Sequence, residues 1–360
     1  MSRIQKLANH LGESGYDVFL AQTPISMGYL SGFFEDAHER FLTLAIHKSG
    51  KSRLICPALS QIQAKRIGID DIRPWRDGES PIDHFLEMAE EWNLRSGVIA
   101  VDDHMPAKML LEMQTALPAA LFKPGGMVIA ELMSKKDDSE IAFMKRAGQI
   151  ADETYEFVKG HLKEGITELE VRELMEFEMK NWGGVPQFCS VCFGAGSAES
   201  HHINDKTRLK PDTLVLIDFG CTYEGYCSDV TRTFVFGKAN DEQKKLYDIV
   251  YRAHEAAKAV GKIGALPKDM DFAARNVIEE AGYGPYFTHR TGHGIGMQVH
   301  EEPNITSDND KPLEQGNCFS IEPGIYLEGN CGIRLENLYY SVENGIVSFN
   351  QPISPTLVEV

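Results

Sequence analysis

The sequence predicts an α/β domain followed by an α+β domain, and three observations carry that prediction. Helix-like and strand-like runs alternate up to about residue 125, a Pro-Gly-Gly break interrupts KPGGMVIAELMS, and beyond it helices and strands fall into separate blocks. With 360 residues, 42% of them apolar, the chain is long enough to bury two cores. The expected domains are residues 1–127 and 128–360.

The chain opens on an amphipathic helix pattern, with Ile4, Leu7, Ala8 and Leu11 on one face. RFLTLAIH, RLICPA and GVIAVD are the clearest strands of the first half. After the break, Asp137 and Glu140 form a capping-box pair ahead of a helix whose apolar stripe is Ile141, Met144, Ala147, Ala151, Tyr155, Val158 and Leu162, ending before Gly165. Thr167 with Glu170 opens a second helix that stops at Gly183 and Gly184, and Asn240 with Gln243 opens a third running towards Gly261. A fourth is expected over 270–280. PQFCSVCFG, TLVLIDFG, CSDVTRTFVFG, NCFSIEPGIY and GIRLENLYYSV read as strands.

A formal charge of -17 and a pI near 5.2 argue against a nucleic-acid or anionic-membrane partner, since either needs a basic face. A small-molecule or peptide substrate fits better. The seven cysteines are an odd number thinly spread, which argues against a disulfide framework and for a reducing cytoplasm. No apolar run has the length of a membrane span or the form of a signal core. Cys189 and Cys192 make a CxxC with no second pair at zinc spacing, so they read as strand-core residues. Gly292, Gly294 and Gly296 lack the GxGxxG spacing of a nucleotide loop and read as places where backbone passes close to a metal site.

The chemistry sits in Asp218, Asp229, His293, Glu322 and Glu336, each within or beside a short apolar run. Buried carboxylates need a positive partner, and divalent metal is the most economical one. Alternation along a strand puts Cys227, Asp229, Thr231 and Thr233 on one face, and Arg334 with Glu336 on another, where the guanidinium can orient a ligating carboxylate or contact substrate. Four carboxylates carry the charge of two divalent cations, leaving neutral His293 as the fifth ligand. An oxygen-rich set with one imidazole suits manganese best, with cobalt or zinc possible. Two metals about 3.5–4 Å apart generate a bridging hydroxide nucleophile and polarise the bond under attack, which is hydrolysis.

LIDFG, GYCSDVTRT, HRTGHGIGMQVHEEP, IEPGIY and GIRLEN resemble the M24-type metallopeptidase family of prolidase, aminopeptidase P and methionine aminopeptidase. The likeness runs from about residue 135 to the end and implies a pita-bread fold for the second domain, with Asp218, Asp229, His293, Glu322 and Glu336 as ligands. It further implies that Glu322 shuttles a proton from water to the leaving nitrogen, that His300 binds the substrate carbonyl, and that His289 supports it from behind. His201 stands seventeen residues before Asp218, where the family has a substrate-contacting histidine, although Ser200 precedes it instead of the usual proline; His202 is a weaker candidate. A Xaa-Pro bond lacks an N–H, so its leaving nitrogen must be protonated by the site. A dipeptide's free carboxylate needs a cation: Arg334 first, then Arg290 and Arg40.

YLSGFFEDAHERF is similar to the loop of Gram-positive Xaa-Pro dipeptidases that reaches a neighbouring subunit's site, which implies a homodimer with Asp36, His38, Glu39 and Arg40 near substrate; the alternative is a solvated charged turn. The expectation is therefore a cytoplasmic, metal-dependent Xaa-Pro dipeptidase. Three rivals stand beside it: aminopeptidase P action on longer peptides, another metal-dependent reaction such as dimethylsulfoniopropionate lysis, and a peptide-binding module with a vestigial site.

Overall fold

The computed structural model describes residues 1–36 and 38–360, in two units, Met1–Met133 and Ser134–Val360. The division falls six residues beyond the expected 127. Its cause is the helix Gly126–Met133, which follows the Pro-Gly-Gly break, buries Val128, Ile129 and Met133, and packs on the first helix, so the segment belongs to the first core.

The first unit contains α1 (Arg3–Glu13), α2 (Pro24–Ser31), α3 (Gln61–Arg66), α4 (Pro81–Glu91), α5 (Ala107–Ala116) and α6 (Gly126–Met133) around strands β1 (Val18–Ala21), β2 (Thr43–His47), β3 (Ser52–Pro57), β4 (Ile72–Trp75), β5 (Val98–Val101) and β6 (Leu121–Pro124). The sheet order is β4-β3-β2-β1-β5-β6, with β1 antiparallel to β2 and parallel to β5. The three expected strands are β2, β3 and β5. Ser2 caps α1 through Gln5 N, and the helix buries Leu7, Ala8 and Leu11, with Ile4 at the margin of the stripe.

The second unit holds α7 (Asp138–Lys159), α8 (Glu168–Asn181), α9 (Asp241–Val260) and α10 (Pro267–Glu280). All three capping boxes read from sequence are formed, at Asp137/Glu140, Thr167/Glu170 and Asn240/Gln243. Helix α7 ends at Lys159, short of Gly165, and α10 starts three residues before the expected 270, because Pro267 serves as its first residue. The strands are β7 (Val185–Phe193), β8 (Thr213–Tyr223), β9 (Tyr226–Cys227), β10 (Val230–Phe236), β11 (Gly292–Gly294), β12 (Glu301–Ile305), β13 (Cys318–Ile321), β14 (Gly324–Leu327), β15 (Cys331–Arg334), β16 (Asn337–Val342), β17 (Gly345–Ser348) and β18 (Val358–Glu359). They form a β18-β10-β8-β7 sheet with β9 off β8, a β12-β11-β13-β16-β17 sheet, and the β14-β15 hairpin. One core joins α7 and α8 to the first sheet through Ile150, Met175, Val191, Ile217 and Phe234; another joins α9 and α10 to the second through Leu246, Val250, Ala274, Phe319 and Tyr339.

The long strands expected from sequence are interrupted, and the interruptions carry function. CSDVTRTFVFG breaks between β9 and β10 at Asp229, NCFSIEPGIY between β13 and β14 at Glu322, and GIRLENLYYSV between β15 and β16 at Glu336. The gaps differ in kind: Ser228 N donates to Cys221 O (2.8 Å) and Glu322 N to Thr291 O (2.8 Å), each keeping the register of the ladder beside it, whereas Glu336 N crosses to Thr231 O (3.2 Å) on β10. Thr231 meets both Arg334 and Glu336, and Thr233 bonds the Arg334 carbonyl, in keeping with the expected alternation.

Gly292 and Gly294, which flank His293, are required by the close approach of neighbouring strands. A Cβ on Gly292 would lie 2.0 Å from Ser320 O on β13, and one on Gly294 2.3 Å from the Glu302 carbonyl carbon on β12. The seven cysteines are all free and buried. Among the described residues no helix is long and apolar enough to cross a membrane.

Gly292→Ala is expected to destabilise the protein by about 1–3 kcal/mol through forced backbone displacement. Gly12→Ala, in α1 with open space at its Cβ position, should stabilise by roughly 0.5 kcal/mol. Urea unfolding of both variants checks the opposite signs.

Candidate metal centre

Asp218 lies within β8, paired in register with Ser190 on β7 and Thr231 on β10. Asp229 comes from the β9–β10 gap, His293 from β11, and Glu322 and Glu336 from the two gaps of the second half. Asp229, His293 and Glu336 are buried, and a ligand atom from each lies within 4.8 Å of the other two. His293 Nε2 is 3.2 Å from Glu322 Oε1 and 3.6 Å from Asp229 Oδ2. Two ligands at about 2.1 Å from one ion stand roughly 3.0–3.5 Å apart, so this spacing suits a shared cation.

The hydrogen bonds around the cluster aim it. His293 Nδ1 is 3.0 Å from Gly294 O, so that nitrogen carries the proton and Nε2 presents its lone pair to the acids. Burial pushes the His293 pKa down to about 4, keeping the imidazole neutral as a ligand must be. Ser320 Oγ donates to Glu322 Oε1 (3.0 Å) and accepts from His293 N (3.0 Å), joining two ligands through one hydroxyl. Thr231 Oγ1 donates to Glu336 Oε2 (2.7 Å). On α10, the buried Asp271 accepts from Thr291 N and Oγ1, which anchors the strand just ahead of His293.

Electrostatically the cluster is incomplete by itself. Burial raises the pKa of Asp229 well above the usual carboxylate range, and repulsion from Glu336, Asp218 and Glu322 adds to it; Glu336 and Glu322 are raised by burial in the same direction. Asp218 Oδ1 and Glu336 Oε1 are buried carboxylate oxygens with no hydrogen-bond partner. Four acids, two of them with an unmatched buried oxygen among the described residues, and a neutral imidazole fit divalent cations, and these five residues would hold them.

Arg334 is the cation already present. Its Nε donates to Thr231 Oγ1 (3.0 Å), Nη1 to Tyr326 Oη (2.8 Å) and Nη2 to Asp218 Oδ2 (2.7 Å). Burial opposes its charge, but Tyr326, Asp218, Glu322 and Glu336 outweigh that and hold it protonated. Of the two roles weighed from sequence, its donors serve the orienting of Asp218. Tyr326 extends the chain to His289, whose Nε2 lies 2.8 Å from the phenol oxygen while Nδ1 faces Arg290 O (2.7 Å).

The five residues line a cavity of about 440 Å³, at the small end of ligand pockets, together with His201, His289, His300, Arg290, Arg334, Phe188 and Val299. His300 stands edge-on to His293 with ring centres 4.3 Å apart, and burial, with His293 and Arg290 nearby, lowers its pKa to about 4. His201 is exposed at the rim, whereas His202 turns to Glu168 (2.8 Å) and does not line the cavity. Arg290 is half-buried and bonds Asn304 Oδ1. In the first unit, Arg40 pairs with Asp77 and exposed His38 donates its N–H to Asp36 Oδ1 (2.8 Å); Ala37, within the same stretch, lies outside the described residues.

Sequence reasoning missed Tyr326 and Ser320 and assigned no bond to Thr231. Each stands two residues from a charged member of the motifs or on the strand beside one, the only local signal available.

Residues 142–343 match Metallopeptidase family M24, and residues 3–132 match the Creatinase/Prolidase N-terminal domain. The chain is 34% identical over 355 residues to the putative dipeptidase YkvY of Bacillus subtilis (strain 168), covering 98% of each, and 34% identical over 358 residues to the Xaa-Pro dipeptidase of Lactobacillus delbrueckii subsp. lactis, covering 96% of each. Its fold is similar to that of the recombinant prolidase from Thermococcus sibiricus, with a TM-score of 0.94 at 33% identity over 99% of this chain and 98% of that one. An α/β creatinase-type domain followed by an α+β pita-bread domain with a carboxylate-rich centre, matched along nearly its whole length, places this protein in metallopeptidase family M24.

Proposed function

We propose that this protein is a cytoplasmic Xaa-Pro dipeptidase that works as a homodimer with two divalent ions per subunit, manganese suiting the oxygen-rich ligand set best and cobalt or zinc as substitutes. The observation that carries the reading is the pair of partnerless buried oxygens, Asp218 Oδ1 and Glu336 Oε1, facing a cavity of about 440 Å³. The dipeptidase and prolidase names of its relatives support the substrate class.

When bound, the cations supply Lewis acidity that acidifies a water and polarises the peptide carbonyl. The chain's own groups do the rest. Glu322 Oε1 is held by Ser320, so Oε2 is the oxygen that takes a proton from the attacking water and delivers it to the proline nitrogen, which has no hydrogen of its own. Neutral His300 offers an N–H to the carbonyl oxygen as charge develops there, and His201 closes the rim above the substrate. Tyr326 holds His289 behind them. With Arg334 bonded to Asp218, Arg290 becomes the leading cation for the dipeptide carboxylate, and Arg40 and His38 would serve a neighbouring subunit's site from the loop at Asp36.

Asp229→Ala should abolish turnover and leave the purified protein depleted of metal, as read by elemental analysis. Thr231→Val, which removes only the bond to Glu336, should weaken metal binding about 10–100-fold; retained affinity in a metal titration would reject the orienting role.

With manganese supplied, Ala-Pro should be cleaved in preference to an Arg-Pro-Pro tripeptide, and Arg290→Ala should raise KM for the dipeptide on the order of tenfold with a smaller change in kcat. Preference for the tripeptide would instead favour aminopeptidase P action.

Metal removal should act with a definite pH sign. Carboxylates whose folded pKa is raised bind more protons folded than unfolded, so the metal-free protein loses stability as pH rises from the unfolded value through the raised folded one. His293 and His300, with lowered values, act in the opposite sense only below the unfolded histidine value of about 6.5, so chelator-treated protein should melt lower at about pH 8 than at about pH 6.5, and added manganese should remove the difference.

A further inference from the structure

His201 rides on a stretch, residues 199–207, with no helix or strand of its own, so its place at the cavity rim depends on what pins that stretch down. The pin is the next side chain. His202 is one-tenth exposed, with Nε2 2.8 Å from Glu168 Oε2 and Nδ1 3.1 Å from Glu199 Oε2. Glu168, the first residue of α8, is fully buried, and its two oxygens also accept Phe193 N at the end of β7 (2.9 Å) and Asp205 N further along the stretch (3.1 Å). Edge strand β7 grips the same stretch directly: Ser190 Oγ donates to His202 O (3.2 Å), and Ser190 is the register partner of Asp218.

We propose that His202 and Glu168 are positioning residues: their buried ion pair latches residues 199–205 to α8 and β7 so that His201 faces the cavity, and the latch loosens when His202 loses its proton. The proposal deepens the dipeptidase reading and rests on it for the role of His201. A buried carboxylate with one imidazole as its cationic partner is the arrangement in which removing the charge costs most.

The groups facing the ring are Glu168 from α8 and Glu199 and Asp205 from its own stretch, with Gly196 leaving room for it: a Cβ there would lie 3.1 Å from the ring. Burial works against the charged imidazole, but the bonds to Glu168 and Glu199 outweigh it and the His202 pKa is raised. A raised folded pKa means that the proton's contribution is complete below the unfolded value of about 6.5 and lost as pH climbs through the folded one.

Amide hydrogen exchange of the manganese-loaded full chain tests the latch without reference to catalysis. Protection factors across residues 199–205 should fall about tenfold between roughly pH 6 and pH 9 in the wild type, and should be low at both pH values in Glu168→Gln and in His202→Gln. Protection that is independent of pH and unchanged in both variants overturns the proposal. On Ala-Pro, His202→Gln should lower kcat/KM about tenfold, chiefly through KM, yet add less than about twofold in a His201→Ala background. Fully additive losses would show that His202 does not act through His201. A wild type that cleaves no Xaa-Pro peptide refutes the dipeptidase reading, while the exchange measurement still decides the latch.

Discussion

Four carboxylates converging on one small cavity, one of them bonded to the guanidinium of Arg334, set the terms for the rest of the second domain. Each such group costs several kcal/mol to remove from water unless something positive meets it. Arg334 meets Asp218, and the remaining acids respond by holding their protons more tightly than usual. An arrangement so costly when empty is stable when cations enter, and the binding free energy becomes part of the folding free energy. The site is thus a charge deficit that the fold maintains.

Maintaining it is the work of backbone geometry. Three of the acids occupy gaps between strands; the backbone keeps the neighbouring register at Asp229 and Glu322 and crosses to Thr231 at Glu336. Hydroxyls then join residues of the site in pairs, Ser320 between Glu322 and His293, Thr231 between Glu336 and Arg334. Helices α7 to α10 pack their apolar faces on the two sheets. Strands and the short gaps between them carry the five candidate ligands, and a stretch without regular structure carries His201.

Much of this architecture is legible locally. The three capping boxes announce their helices because an Asp, Thr or Asn followed three residues later by Glu or Gln satisfies the first amides of a helix wherever it occurs. The strands β2, β3 and β5 follow from β-branched and aliphatic runs. The domain division was displaced because α6 belongs to the first core by packing, and packing leaves no mark on the Pro-Gly-Gly break. The glycines of HRTGHGIG signalled close approach correctly, but the approaching groups are Ser320 and Glu302 on adjacent strands. Arg334 could be placed beside a ligand by alternation, yet which of its neighbours would take its donors depended on Tyr326 and Asp218, eight and 116 residues away.

By itself the sequence determined the chemistry of the centre: acids and one histidine set among apolar residues, in numbers that balance two divalent ions, and helices whose caps and stripes are written within a few positions. Only the tertiary structure decided which oxygens remain without partners among the described residues, that three of the acids fall in gaps between strands, that Arg334 bonds Asp218, and that His202 faces Glu168 rather than the cavity. The reason is range. Propensity, capping and residue chemistry act over a few residues, whereas the electrostatic and hydrogen-bonding state of a buried group is fixed by neighbours that the folding of distant segments brings within about 3 Å.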